Sequence, residues 1–208
     1  MPQKGEKQRL FDKVYNNKTK RTILITLAKP KTISQIAEDI TKQLNLEKIP
    51  KITNHIKEME KLSILKILTP KLKKTKQGRV YGLTDKGKKI KKFLCIKEKI
   101  PFIYCEPEKF DWYTYGWCLT GSQKKAVICA LNEQPLRQKD LKNKIKEKYK
   151  NRNNSVGMSF QNINDLLQLM LKRNILAVEE EKIRRSKNKR KKYKLTIKGL
   201  KIKKLMFF

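Results

Sequence analysis

The chain has 208 residues, enough for one large domain or for two of about a hundred residues each. Its 53 Lys and Arg stand against 19 Asp and Glu, a formal net charge of +34, and such an excess repels itself unless a polyanion neutralises it. No apolar stretch is long enough to span a bilayer, and MPQKGEKQRLF at the start lacks the apolar core of a signal peptide, so a soluble cytoplasmic protein with a nucleic-acid partner and no membrane role is expected. Disorder is set aside because apolar residues recur at helical spacing in several segments and aromatic residues are not depleted.

Taken in chain order, residues 1–17 read as a basic arm and Lys18 to Leu27 as a first helix. Thr32-Ile33 suits a short strand, and Ser34 suits the cap of a second helix carrying Ile36, Ala37 and Ile40. A turn around Asn45 follows. Pro50 opens a third helix whose apolar face is Ile52, Ile56 and Met59. Ile64 to Leu68 reads as a strand, Pro70 to Gly78 as a polar turn, and Arg79 to Leu83 as the returning strand. Thr84 caps a closing helix to about Lys97. Residues 98–119 form an aromatic-rich connector, and 120–208 repeat the series.

That repeat sets the domain count. LTDKGKKIKKFL at 83–94 returns as LTIKGLKIKKLM at 195–206, and TILITLAK at 22–29 matches AVICALNE at 126–133 in apolar pattern. Ile52, Ile56, Met59, Ile64 and Leu65 correspond to Ile163, Leu167, Met170, Ile175 and Leu176. The expected class is α+β, mostly α, with one domain over 18–97 and a second over 120–208.

Helix, strand, helix, helix, hairpin, helix is the winged helix-turn-helix order. Through TISQIAEDI (32–40), ITNHIKEMEKLSILK (52–66) and RVYGLTDKGKKI (79–90), the chain resembles archaeal and bacterial winged-helix regulators of the MarR- and ArsR-like type. The resemblance extends more loosely through LRQKDLKNKI (136–145), FQNINDLLQLMLKRNIL (160–176) and YKLTIKGLKI (193–202). It implies two tandem winged domains, double-stranded DNA as partner and transcription regulation as the role. The tandem pair could act as a covalent pseudo-dimer on major-groove segments about 34 Å apart; a homodimer is the alternative.

In that geometry the third helix enters the major groove while its apolar face packs on the core. Lys51, Thr53, Asn54 and Lys57 then fall outward. Asn pairs bidentately with adenine, and Lys reaches guanine or a phosphate. The second copy offers Ser159, Gln161 and Asn162, with Asp165 and Gln168 where the first has Asn54 and Lys57. The wings are the second expected contact, with Lys71, Lys73, Lys74, Lys76 and Arg79 in the first copy. Lys182, Arg184, Arg185, Lys187, Lys189, Arg190, Lys191 and Lys192 form the second wing. Crowded like charges destabilise a hairpin in isolation, and a phosphate backbone beside it reverses that sign.

The aromatic run PFIYCEPEKFDWYTYGW (101–117) reads as an ordered packing segment; as a stacking platform for single strands it would set Glu106, Glu108 and Asp111 against phosphates. Cys95, Cys105, Cys118 and Cys129 are too widely spaced for a zinc site, and His55 has no catalytic companion in its motif. Gly116 and Gly121 have P-loop spacing, but Ser122 stands where the phosphate-binding Lys belongs. No enzyme activity, cofactor or metal is expected. Two other roles fit the charge: an architectural nucleoid protein with little base preference, and an RNA- or ribosome-associated protein binding through its wings.

Overall fold

The computed structural model describes residues 4–45, 52–69, 78–131, 134–149, 160–182 and 189–207. The chain is α+β and mostly helical, with two small antiparallel sheets. It divides into two compact units, Met1–Gly116 and Trp117–Phe208.

The first unit runs α1 (Lys4–Tyr15), α2 (Lys18–Thr26), β1 (Lys31–Thr32), α3 (Ile33–Gln43), α4 (Thr53–Lys61), β2 (Leu65–Ile67), β3 (Val80–Leu83) and α5 (Asp85–Lys97), and α6 (Trp112–Leu119) begins in it. The segment expected to be a basic arm therefore contains a helix. Val14 is fully buried there, and Leu10, Phe11 and Tyr15 pack on the core. The sheet order is β1-β3-β2, with Lys31 opposite Tyr81 and Leu65 opposite Leu83. Ile23, Leu24, Ile36, Ile40, Ile56, Met59 and Leu94 fill the space between sheet and helices, each contributing about 1.5–3 kcal/mol by leaving water.

Local chemistry sets the helix ends. Asn17 caps α2 by accepting from the Lys20 amide at 3.0 Å. Thr32, not the expected Ser34, caps α3. Its hydroxyl accepts from the Gln35 amide while the Gln35 side chain accepts from the Thr32 amide at 3.0 Å, a reciprocal capping box. Asn45, in the turn expected after α3, sits in the left-handed region at φ 48°. The helix containing Ile56 and Met59 starts at Thr53; Pro50, the expected start, lies outside the described residues.

The second unit holds α7 (Ser122–Ala130), β4 (Leu136–Arg137), α8 (Gln138–Tyr149), α9 (Phe160–Lys172), β5 (Leu176–Lys182), β6 (Lys189–Leu195) and α10 (Ile197–Phe207). From α7 onward this repeats the order of α2 to α5, and its sheet order β4-β6-β5 repeats β1-β3-β2. Buried Val127, Leu141, Ile163, Leu167, Met170 and Ile202 form its interior.

The repeat reaches individual hydrogen bonds, and these explain why the LT-x-KG sequence recurs. Ser63 and Asn174 both sit at φ 54°, reversing the chain after α4 and α9. The next amide donates back into each helix at 2.9 Å, Ile64 to Met59 and Ile175 to Met170. Thr84 donates its hydroxyl to the Ser63 carbonyl at 2.6 Å and accepts from the Gly87 amide at 3.0 Å. Thr196 does the same with Asn174 at 2.7 Å and Gly199 at 3.1 Å. A β-carbon on Gly87 would overlap the Ile64 carbonyl oxygen, and one on Gly199 the Ile175 carbonyl oxygen. Glycine lets each closing helix lie against the strand entry.

A lysine completes the lattice. Lys91 Nζ donates to the Leu27 carbonyl at 2.8 Å, and Lys203 Nζ to the Leu131 carbonyl at 2.6 Å. Each ties a closing helix to the carbonyl end of the first helix of its repeat. Lys91 also donates to Ile103 at 2.8 Å. Burial pulls its ammonium down to about 8.

Candidate nucleic-acid interface

In α4 the apolar residues Ile56 and Met59 point into the core beside Ile52, and Thr53, Asn54 and Lys57 are exposed on the other side. Lys61, one turn beyond Lys57, is exposed on the same face. Sequence reasoning missed it, although its i, i+4 spacing from Lys57 was readable. Glu58 and half-buried Glu60 flank this face, and Lys20 of α2 pairs with Glu58 at 2.8 Å. The Lys20 ammonium donates to Glu58 and holds its carboxyl below the usual range. The face thus offers hydroxyl, amide and ammonium groups, with one of its two flanking carboxylates paired. His55 is half-buried, and its Nδ1 has no hydrogen-bond partner among the described residues.

Lys51 and the first-wing residues Lys71, Lys73, Lys74 and Lys76 lie outside the described residues. Arg79 is described at the base of β3. It is half-buried, and it hydrogen-bonds the hydroxyl of Tyr81. Burial is the main cause that raises that phenol. A guanidinium held this way is partly committed inside the unit.

The corresponding helix α9 has a different outward face. Ile163, Leu166, Leu167 and Met170 are buried, while Asn162, Asp165, Gln168 and Lys172 lie at least partly open to solvent. Leu169 joins them at 48% exposure. One ammonium, one carboxylate and one leucine make a poor phosphate surface. Gln161 belongs to α9, although its side chain lies outside the described residues, as does all of Ser159.

The second hairpin carries acids beside its expected cations. Pairing places Glu179 opposite Lys192, Glu180 opposite Lys191 and Glu181 opposite Arg190. Glu181 binds Arg137 at 3.0 Å and Lys192 at 3.2 Å, and Lys194 binds Glu179. Hydrogen bonds from Arg137 and Lys192 hold the Glu181 carboxyl below the ordinary carboxylate range. Lys192, expected from the sequence to meet phosphate, is therefore half-buried and tied to Glu181. Arg190 and Lys191 are exposed. Lys182 and Lys189 pair in the backbone ladder, with both side chains outside the described set. Arg184, Arg185 and Lys187 lie outside it altogether.

Phe110, Trp112 and Tyr115 pack edge to face at 4.7–5.9 Å, and the last two are buried, so neither of those rings is open to stack a base. None of the four cysteines forms a disulfide. Among the described residues no group of three His, Cys, Asp or Glu could hold a metal ion, and no helix is long and apolar enough to cross a membrane. No protein-family model, curated protein or solved structure matches the chain.

Proposed function

We propose that this chain binds double-stranded DNA through two tandem winged helix-turn-helix domains and serves as a nucleoid-associated transcription regulator. The observation that carries the reading is α4: Thr53, Asn54 and Lys57 stand exposed on one side while Ile56 and Met59 are buried on the other. In a helix-turn-helix this arrangement presents the outward residues to the major groove. The Lys20–Glu58 pair supports it, because it neutralises one of the two carboxylates of α4. The +34 charge supplies affinity for phosphate whatever the sequence.

In this reading the two domains divide the work. The first reads bases with α4, and the second anchors the backbone with its hairpin. A competing role as an architectural protein without base preference draws on the same +34 charge. Titration of the full chain against unrelated duplexes, and against sequences selected from genomic fragments, at several salt concentrations separates the two. A regulator binds its selected sequences about a thousandfold or more tighter than the rest. Equal affinity throughout, with a steep salt slope, would establish the architectural role. Preference for RNA duplexes over DNA would refute both.

A further inference from the structure

The closing helix α5 presents a face that neither the core nor DNA reading uses. Lys86, Lys89, Lys92, Phe93 and Ile96 fall within about 120° of arc on the side away from Ile90 and Leu94. Phe93 is 65% exposed and Ile96 66%, and the three lysines border them at the surface. Phe11 of α1 meets Phe93 edge-on at 6.5 Å and extends the apolar strip. None of the three lysines forms an ion pair among the described residues, whereas neighbouring Lys88 reaches Asp85 at 3.4 Å.

We propose that this face of α5 docks an acidic amphipathic segment of another protein, with its carboxylates on Lys86, Lys89 and Lys92 and its apolar side chains on Phe93, Ile96 and Phe11. Complementarity selects that occupant. Two large apolar side chains, among the most exposed of their kind in the described residues, stand between ammonium groups that form no ion pair among those residues. A duplex offers phosphates to the lysines and leaves Phe93 and Ile96 in water. A second copy placed face to face would set the same three lysines against each other. An acidic segment with apolar anchors satisfies both halves of the strip.

The repeat sharpens the assignment. At the same positions α10 carries Lys201 and Lys204 at its surface. There Leu205 is half-buried in place of Phe93, and Lys198 donates to the Arg173 carbonyl at 3.0 Å. The second unit keeps part of the charge but has half-buried Leu205 where the first exposes Phe93, so docking is assigned to α5.

The test is fluorescence anisotropy of the full chain with a labelled helix-forming peptide of about 18 residues, bearing Glu on one face and Leu and Phe on the other. A scrambled peptide of identical composition controls for charge alone, since any polyanion binds a chain of this charge somewhere. The ordered peptide is expected to bind roughly tenfold tighter than the scrambled one. The double variant Phe93→Ser, Ile96→Ser should erase that difference while leaving duplex affinity unchanged, which separates this outcome from the DNA reading. Equal binding of the two peptides, or a difference that survives in the double variant, overturns the proposal. So does self-association, or recruitment to phosphatidylserine vesicles, that the double variant abolishes.

Discussion

The helices α4 and α9 occupy the same place in the two repeats and bury the same kind of face, yet their outward chemistry diverges. Ile56 and Met59 correspond to Leu167 and Met170, and all four are buried. Outside, Asn54 and Lys57 are replaced by Asp165 and Gln168. The core is constrained by packing, where a lost methylene is felt, whereas a solvated face is free to change. Two copies can therefore keep one architecture while only one keeps an outward face of hydroxyl, amide and ammonium groups.

The shared architecture breaks most readily at its glycines. Gly87→Ala and Gly199→Ala each drive a β-carbon into a carbonyl oxygen and should cost about 3 kcal/mol or more, through the displaced helix. Gly5→Ala, with nothing within 4 Å of its new carbon, is the control and should be neutral or slightly stabilising. Urea unfolding followed by circular dichroism measures all three. If Gly199→Ala proved harmless while Gly87→Ala did not, the two closing helices would not share the hydrogen-bonded lattice described above.

The difference between the two outward faces gives the next largest effect. Asn54→Ala with Lys57→Ala should weaken binding to a selected duplex by about 1–3 kcal/mol and reduce its preference over unrelated DNA. Asn162→Ala with Gln168→Ala should change either quantity by less than about 0.5 kcal/mol. Electrophoretic or anisotropy titrations at fixed salt compare the pairs. Equal losses from both pairs would make α9 a second reading helix and dissolve the division of labour.

How much of this was legible in the sequence depended on range. The bounds of α2 and α5, the buried faces of α3 and α4, and the cap at Thr84 follow from spacing within one turn or two, and all were readable. The repeat was readable as well, because glycine, threonine and lysine recur where the backbone needs them. The helix α1 was hidden by its charge: Leu10, Phe11 and Val14 anchor one end of a segment otherwise rich in charged residues, mostly Lys and Arg. Thr32 was passed over as a cap because it also closes the short strand β1. The pairing of Glu179 and Glu181 with Lys194, Lys192 and Arg137 needed the register of β5 against β6 and the approach of β4. Spacing along one strand does not contain that.

That register supports the smallest and most discriminating prediction. Glu181 ties down Arg137 and Lys192, so the outer face of this hairpin spends part of its positive charge internally. Glu181→Gln keeps the side-chain volume and removes the carboxylate, leaving both cations free for phosphate. Duplex affinity should rise, and the slope of log affinity against log salt should steepen by about one unit for each phosphate newly engaged. Stability should change little, because exposed pairs contribute little against water and salt. The counterpart, Glu58→Gln on α4, has a different consequence, because its partner Lys20 is buried and cannot turn to a phosphate. There the salt slope should stay put while stability falls, since a buried ammonium loses its ion pair. Measuring both variants on one duplex asks whether the acids of the two units play different parts. The acid on α4 would hold a buried lysine, and the acid on β5 would limit how much of a wing is open to DNA. A steeper slope from Glu58→Gln, or none from Glu181→Gln, would reverse those assignments.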